Sequence, residues 1–231
     1  MASTVGDMFK AAVARLAAVG QPASDVEELL SRLLDVGRGD LRRLASSPCP
    51  SETAARFDAW LARRIAGEPV QYVTGRAAFR DLDLLVDPRV LIPRPETEQV
   101  AERAIAAARS ALGRSQGGTD LLVCADLGTG SGGIGLSLLA ELPRGSATVW
   151  LTDISSDALD VARANGTGLG MAGAGARYAQ GSWFDALPSE LCGALDLVVS
   201  NPPYIAVGDP EVDANVVARA RETPDSGDLR G

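Results

Sequence analysis

The chain has 231 residues, 46% of them hydrophobic, with a formal net charge of −8 and a pI near 4.7. That is apolar material for one medium domain and a small satellite, and an acidic chain with no basic run argues against nucleic acid as a partner. Histidine is absent and the three cysteines, Cys49, Cys124 and Cys192, are far apart with no C-x-x-C pair, so imidazole triads, a disulfide framework and a metal site are not expected. No apolar run of about 18 residues offers a membrane span. A soluble cytoplasmic monomer is the expectation.

Residues 1–68 are patterned as a helical bundle. Val13, Leu16 and Ala17 share one face of a helix over Met8 to Val19, and Ser24-Asp25-Val26-Glu27 has the form of a capping box opening a second helix through Leu34, closed by Gly37 and Gly39. A third helix starts at Ser51 after Pro50, with Phe57, Trp60, Leu61 and Ile65 on one stripe that suits core packing. Over residues 69–92 the period changes. Val70, Tyr72, Leu82, Leu84 and Val86 alternate around a Gly75 to Asp81 turn, which predicts a hairpin-like linker.

Residues 93–231 follow as the largest domain. A helix is predicted over Glu96 to Leu112, then a loop over Gly113 to Asp120. Apolar runs at Leu121 to Ala125, Thr148 to Thr152 and Leu195 to Val199, with a weaker candidate at Arg177 to Gln180, alternate with helical stretches. That alternation predicts a parallel sheet covered on both faces, an α/β doubly wound domain.

The segment Asp126-Leu127-Gly128-Thr129-Gly130-Ser131-Gly132-Gly133 directly follows a predicted strand and opens the helix Ile134 to Leu142. Gly128, Gly130 and Gly133 satisfy G-x-G-x-x-G, so both a dinucleotide and S-adenosylmethionine (SAM) remain open. Asp153, about 20 residues on at a strand end, suits the ribose hydroxyls of either ligand; a helix-capping role competes with that one. Asp126 favours SAM, whose amino-acid end takes an acid there.

Ser200-Asn201-Pro202-Pro203-Tyr204 follows the last apolar strand, at the sheet edge where ligands of open α/β folds bind. A planar amide or exocyclic amine attacking a sulfonium methyl needs its NH₂ held by two acceptors. The Asn201 side-chain oxygen and the Pro202 carbonyl supply them, while the prolines stiffen the loop and Tyr204 stacks on the flat group. The methyl arrives activated, so no strong base is required. An ordinary strand-ending turn is the competing account of Asn-Pro-Pro.

These motifs together resemble the amino-methyltransferases. The upstream stretches narrow the likeness: Arg63-Arg64-Ile65-Ala66-Gly67-Glu68-Pro69-Val70-Gln71-Tyr72, then Gly75, Phe79 and Leu91-Ile92-Pro93-Arg94-Pro95-Glu96-Thr97-Glu98 are similar to those of the peptide chain release factor glutamine N5-methyltransferases. The resemblance covers roughly residues 5 to 205. It implies a helical N-terminal substrate-recognition domain, a hairpin linker and a Rossmann-like SAM-dependent methyltransferase domain acting on the Gln of a Gly-Gly-Gln loop in class 1 release factors. It further implies that Asp126, Gly128, Thr129, Gly130, Ser131, Gly132, Asp153 and Trp183 bind SAM, Trp183 at the adenine. Asn201, Pro202, Pro203 and Tyr204 would grip the glutamine amide, with Asn201, Pro202 and Tyr204 catalytic and Asn201 also touching SAM. Core filling is an equal account of Trp183. Loop structure and helix capping compete with a substrate-side role for Glu68 to Tyr72 and Arg94 to Glu98.

Past Ile205 the chain is polar, without a convincing strand. The expectation is a domain truncated after the Asn-Pro-Pro-Tyr loop, the strand ending at Ser200 left at the edge of an incomplete sheet and the activity of the chain in doubt. A DNA or RNA amino-methyltransferase, disfavoured by the acidic composition, and an inactive fragment that binds only SAM or a partner are the competing functions. An NAD-linked oxidoreductase lacks its hydride-transfer acid.

Overall fold

The computed structural model describes residues 4–114 and 121–202. The chain divides into two compact units, Met1–Arg76 and Ala77–Gly231. Pro203, Tyr204, the polar segment 206–231 and part of the Gly113 to Asp120 stretch lie outside the described residues.

The first unit is helical. Helix α1 (Val5–Ala17) carries the capping box that no motif had flagged: Thr4 Oγ1 accepts from the Asp7 amide at 3.1 Å, and the Asp7 carboxylate accepts from the Thr4 amide at 3.3 Å. The expected box at Ser24 does not form. Helix α2 (Ser24–Leu34) has Ala23 as its N-cap, because the Pro22 and Ala23 carbonyls already accept from the Asp25 and Val26 amides and Ser24 is inside the helix. Asp25 pairs instead with Arg64 at 2.7 Å. The helix stops at Asp35, in the left-handed region at φ 54°, before Gly37 and Gly39. A short α3 (Leu41–Leu44) follows, and α4 (Ser51–Ile65) starts where Pro50 predicts.

Val70 to Thr74 corrects the hairpin expectation: it is a short helix, α5 (Val70–Thr74). Two alternating residues do not define a strand, and local chemistry decides. The Pro69 carbonyl accepts from the Tyr72 and Val73 amides at 3.0 Å, and Gly75 closes the turn at φ 74°. Arg63, paired with Glu68 at 2.7 Å, donates to the carbonyls of Tyr72 and Val73. The Glu68 to Tyr72 stretch therefore serves as scaffold in the first unit. Leu16, Val26, Leu29, Leu30, Phe57, Leu61 and Val73 make its core, with Trp60 and Ile65 packed at the margin.

The second unit opens with the predicted hairpin, β1 (Arg76–Phe79) and β2 (Leu82–Leu85), whose inward residues are Ala77, Phe79, Leu82 and Leu84. Helix α6 (Pro95–Arg114) runs two residues beyond its expected end. Then come β3 (Leu122–Leu127), α7 (Gly133–Glu141), β4 (Ala147–Asp153), α8 (Ser156–Gly168), β5 (Ala176–Gln180) and β6 (Leu197–Ser200). The four strands are parallel in the order β5-β4-β3-β6. This is a Rossmann-like sheet, built from the strands the apolar runs marked.

Cover on both faces is not what the described residues show. Asp126, Leu151 and Tyr178 share one face by register, and that face takes the helices. A Cβ on Gly135 of α7 would sit 3.0 Å from Leu151 and 3.1 Å from Asp126, and Tyr178 donates to the Ala162 carbonyl of α8. Helix α6 packs beside α7 and over β6. On the opposite face Trp150 is half-buried and Val198 is 41% exposed around buried Ala125. No described helix is long and apolar enough to cross a membrane.

Candidate cofactor and amide site at the carboxyl edge of the sheet

Four strand ends lie side by side at one edge of the sheet. In strand order they carry Trp183 beyond β5, Asp153 at the end of β4, the glycine turn beyond β3, and Asn201 beyond β6. The register fixes the last pair: Leu127 pairs with Ser200, so Gly128 and Asn201 are each the first residue past adjacent strands. Ser200 Oγ donates to the Leu127 carbonyl at 2.7 Å and closes that edge.

The glycine turn has an open side and a buried floor. Gly128, Gly130 and Gly132 all have positive φ, at 73°, 54° and 88°. A Cβ on Gly128 or Gly130 would meet nothing within 4 Å, so these two bare backbones face free space, whereas on Gly132 it would lie 2.8 Å from Leu136. Asp153 spans turn and helix: one oxygen accepts from the Gly130 amide at 2.9 Å, the other from the Ser155 amide at 3.0 Å. Ser155, not Asp153, caps α8, accepting from the Ala158 amide.

Asp126, Thr129 and Ser131 form the floor, all buried. A single oxygen of Asp126 accepts from the Thr129 hydroxyl at 2.6 Å and the Gly135 amide at 2.9 Å, tying the turn to the first residues of α7. Burial pushes the Asp126 carboxyl up to about 6, aided slightly by the Asp153 charge, while the two hydrogen bonds hold it lower than burial alone would. The structure thus places Asp126 beneath the turn, as its support. Asn165 on α8 extends the floor: its Nδ2 donates to the Ser131 carbonyl at 2.9 Å and the Leu85 carbonyl at 3.0 Å, and its Oδ1 accepts from the Leu85 amide at 2.6 Å. Hairpin, glycine turn and α8 are joined by that one side chain. No sequence motif marks it.

Trp183 is 39% exposed and Phe184 59%, and Trp183 holds a left-handed φ of 48°. That conformation costs a bulky residue about 1–2 kcal/mol, the kind of strain that collects at ligand sites. Trp183 is therefore not core filling. Asn201 is half-buried, and its Nδ2 donates to Thr97 Oγ1 in the first turn of α6 at 2.9 Å. Within the Arg94 to Glu98 stretch Thr97 thus meets the site, while the Glu98 carboxylate accepts from the Arg80 amide at the hairpin turn and Arg80 pairs with Glu141. Pro202 adjoins Asn201; Pro203 and Tyr204 fall outside the described residues.

A parallel sheet with a bare glycine turn, an acidic neighbouring strand end and an aromatic beyond it defines a Rossmann-like methyltransferase domain. Two family models match the chain: the PrmC N-terminal domain over residues 7–75, and the methyltransferase small domain over residues 119–229, past the 205 limit of the motif resemblance. A release factor glutamine methyltransferase of Streptomyces coelicolor is 42% identical over 82% of this chain and 61% of its own length. Its namesake in Neisseria gonorrhoeae is 40% identical over 81% and 63%. That of Vibrio cholerae is 39% identical over 92% of this chain and 70% of its own length. The chain belongs to the release factor glutamine methyltransferase family. It spans somewhat over three-fifths of the Streptomyces and Neisseria relatives' lengths.

Proposed function

We propose that this protein transfers a methyl group from SAM to the side-chain amide N5 of the glutamine in the Gly-Gly-Gln loop of class 1 release factors. The row Trp183, Asp153, Gly128 to Gly130, Asn201 carries the reading. It covers three strand spacings, about 14 Å, which suits an adenosine at the Trp183 end with its sulfonium near Asn201.

The residues present fit SAM. Gly128 and Gly130 leave the backbone approachable, and the Asp153 carboxylate, oriented by the Gly130 and Ser155 amides, is the acceptor for ribose hydroxyls. Trp183 stacks on the adenine. Asp126, Thr129, Ser131 and Gly132 contribute as the rigid floor that holds the turn. When bound, SAM supplies an activated methyl: a bond forms from the amide nitrogen to the methyl carbon as the carbon–sulfur bond breaks with its electron pair kept by sulfur, and one N–H proton leaves to water.

The protein's part is positioning. The Asn201 Oδ1 and the Pro202 carbonyl accept the two amide N–H groups and orient the nitrogen lone pair at the methyl carbon, and Pro203 and Tyr204 complete the grip. Transfer of labelled methyl from SAM to a release factor, lost when its Gly-Gly-Gln glutamine is replaced and lost in Asn201→Ala, is the expected result. Equal labelling of the factor lacking that glutamine overturns the reading.

A further inference from the structure

We propose that Asn165 is a positioning residue for the cofactor: it makes the linker hairpin part of the SAM site, so that order in the hairpin and occupancy of the glycine turn rise and fall together. The inference rests on the SAM reading proposed above. Asn165 stands on α8, buried, with its carboxamide between two backbones. On one side it meets Leu85 at the end of β2 as a neighbouring strand would, Oδ1 accepting from the Leu85 amide at 2.6 Å and Nδ2 donating to the Leu85 carbonyl at 3.0 Å. On the other side Nδ2 donates to the Ser131 carbonyl at 2.9 Å, inside the glycine turn.

The two ends of this amide are not interchangeable. A backbone N–H can only donate and a backbone carbonyl can only accept, so turning the carboxamide over would set oxygen against two carbonyl oxygens and NH₂ against N–H. A second contact ties the same elements together: a Cβ on Gly133, the first residue of α7, would lie 3.2 Å from Phe79 of β1 and 3.5 Å from Leu84 of β2, so the hairpin lies directly on the helix start. Ser131 sits between Gly130, whose bare side faces free space, and Gly132, closed in by Leu136. Holding the Ser131 carbonyl fixes the peptide plane that joins it to Gly132. When the hairpin shifts, Asn165 loses Leu85, the Ser131 carbonyl loses a fixed partner, and the turn relaxes. Linkage makes the effect reciprocal: a ligand that needs the turn in its ordered shape stabilises the hairpin. Asn165 touches no ligand in this account; it acts through the turn.

The test is a double-mutant cycle on the full chain, read as calorimetric affinity for S-adenosylhomocysteine at a temperature well below every melting transition. Leu82→Ala removes a buried hairpin side chain three positions before Leu85 and is expected to weaken binding about threefold. Asn165→Leu is expected to weaken it about tenfold. The double variant is expected to lose about tenfold as well, not the product of the two, because a hairpin already cut off from the turn has nothing left to transmit. In methyl transfer, Asn165→Leu raises KM for SAM about tenfold while kcat at saturating SAM stays within about threefold. Asn165→Ala replaces Asn165→Leu should the latter not fold.

A double variant that shows the full product of the two losses overturns the coupling, and so does a Leu82→Ala protein with wild-type affinity. An Asn165→Leu protein that binds S-adenosylhomocysteine as tightly as wild type while its melting temperature falls marks a purely structural role and overturns the assignment. If wild type binds no S-adenosylhomocysteine, the SAM reading itself fails and Asn165 falls with it.

Discussion

Leu16, Val26, Leu29, Phe57 and Leu61 fill the middle of the helical unit with hydrocarbon, and Ser31 is its one buried polar residue among those described. In the second unit Asp126, Thr129, Ser131, Ser137, Thr152 and Asn165 are buried, and their hydrogen bonds join the end of β3, the β3–α7 turn, the first turns of α7 and, through Asn165, the hairpin at Leu85. Apolar packing is non-directional, and shape-preserving exchanges within it cost little. A buried polar network has one satisfied arrangement and is expensive when broken, so it specifies a backbone conformation. The contrast locates precision: the helical unit needs stability, and the glycine turn needs one shape.

Removing hydrocarbon from the first unit has the largest expected effect on stability. Phe57→Ala is expected to lower the unfolding free energy of that unit by about 3–5 kcal/mol, read by chemical denaturation, with SAM affinity of the folded protein unchanged. A matching loss of affinity would break the contrast. Asp126→Asn probes the floor next. Both hydrogen bonds go to one oxygen, so an amide oxygen in its place keeps them. The Asp126 carboxyl titrates near 6 in the fold against 3.8 in an unfolded chain, so the folded state holds the extra proton between those values. Its stabilising contribution is complete below pH 3.8 and lost as pH rises through 6. The variant should therefore gain on wild type by up to about 3 kcal/mol between pH 4 and pH 7, measured as the difference of two denaturation curves. A gap that does not change with pH would show that folding leaves the Asp126 carboxyl titrating as it does in the unfolded chain.

Asn165→Leu strips partners from Leu85 and Ser131 at once. A loss of about 2 kcal/mol is expected, with SAM affinity about tenfold weaker because the turn relaxes; undiminished affinity would show that the turn holds its shape alone. Arg15→Ala sits at the far end of the scale. Its pair with Asp58 is exposed on both sides, and the melting temperature should move by no more than about 0.5 kcal/mol implies.

The same contrast explains what the sequence discloses. Gly128, Gly130, Gly132, Asp153 and Asn201 were legible as strand-end residues because each follows an apolar run at short range, and strand-end chemistry is a local signal. Trp183 was only half legible: its exposure and left-handed backbone are conformational facts. Thr97 and Asn165 act on residues 104 and 80 positions away, and spacing along a chain carries no trace of that. The R-P-E-T-E stretch drew attention to Thr97 without giving its partner. Val70 to Thr74 went wrong for the opposite reason, since two alternating residues outweighed the proline and glycine that bracket a helical turn.

Strand β6 is pinned at both ends. Asp196 exchanges two contacts with Val123 at its start, the carboxylate accepting from the Val123 amide and the Asp196 amide donating to the Val123 carbonyl, each at 2.8 Å, and Ser200 grips Leu127 at its finish. Those two clamps work as a gauge. One residue added between them would carry Asn201 about 3.3 Å along the strand axis and turn it to the other side, leaving a domain that still folds and a substrate amide with nothing waiting for it.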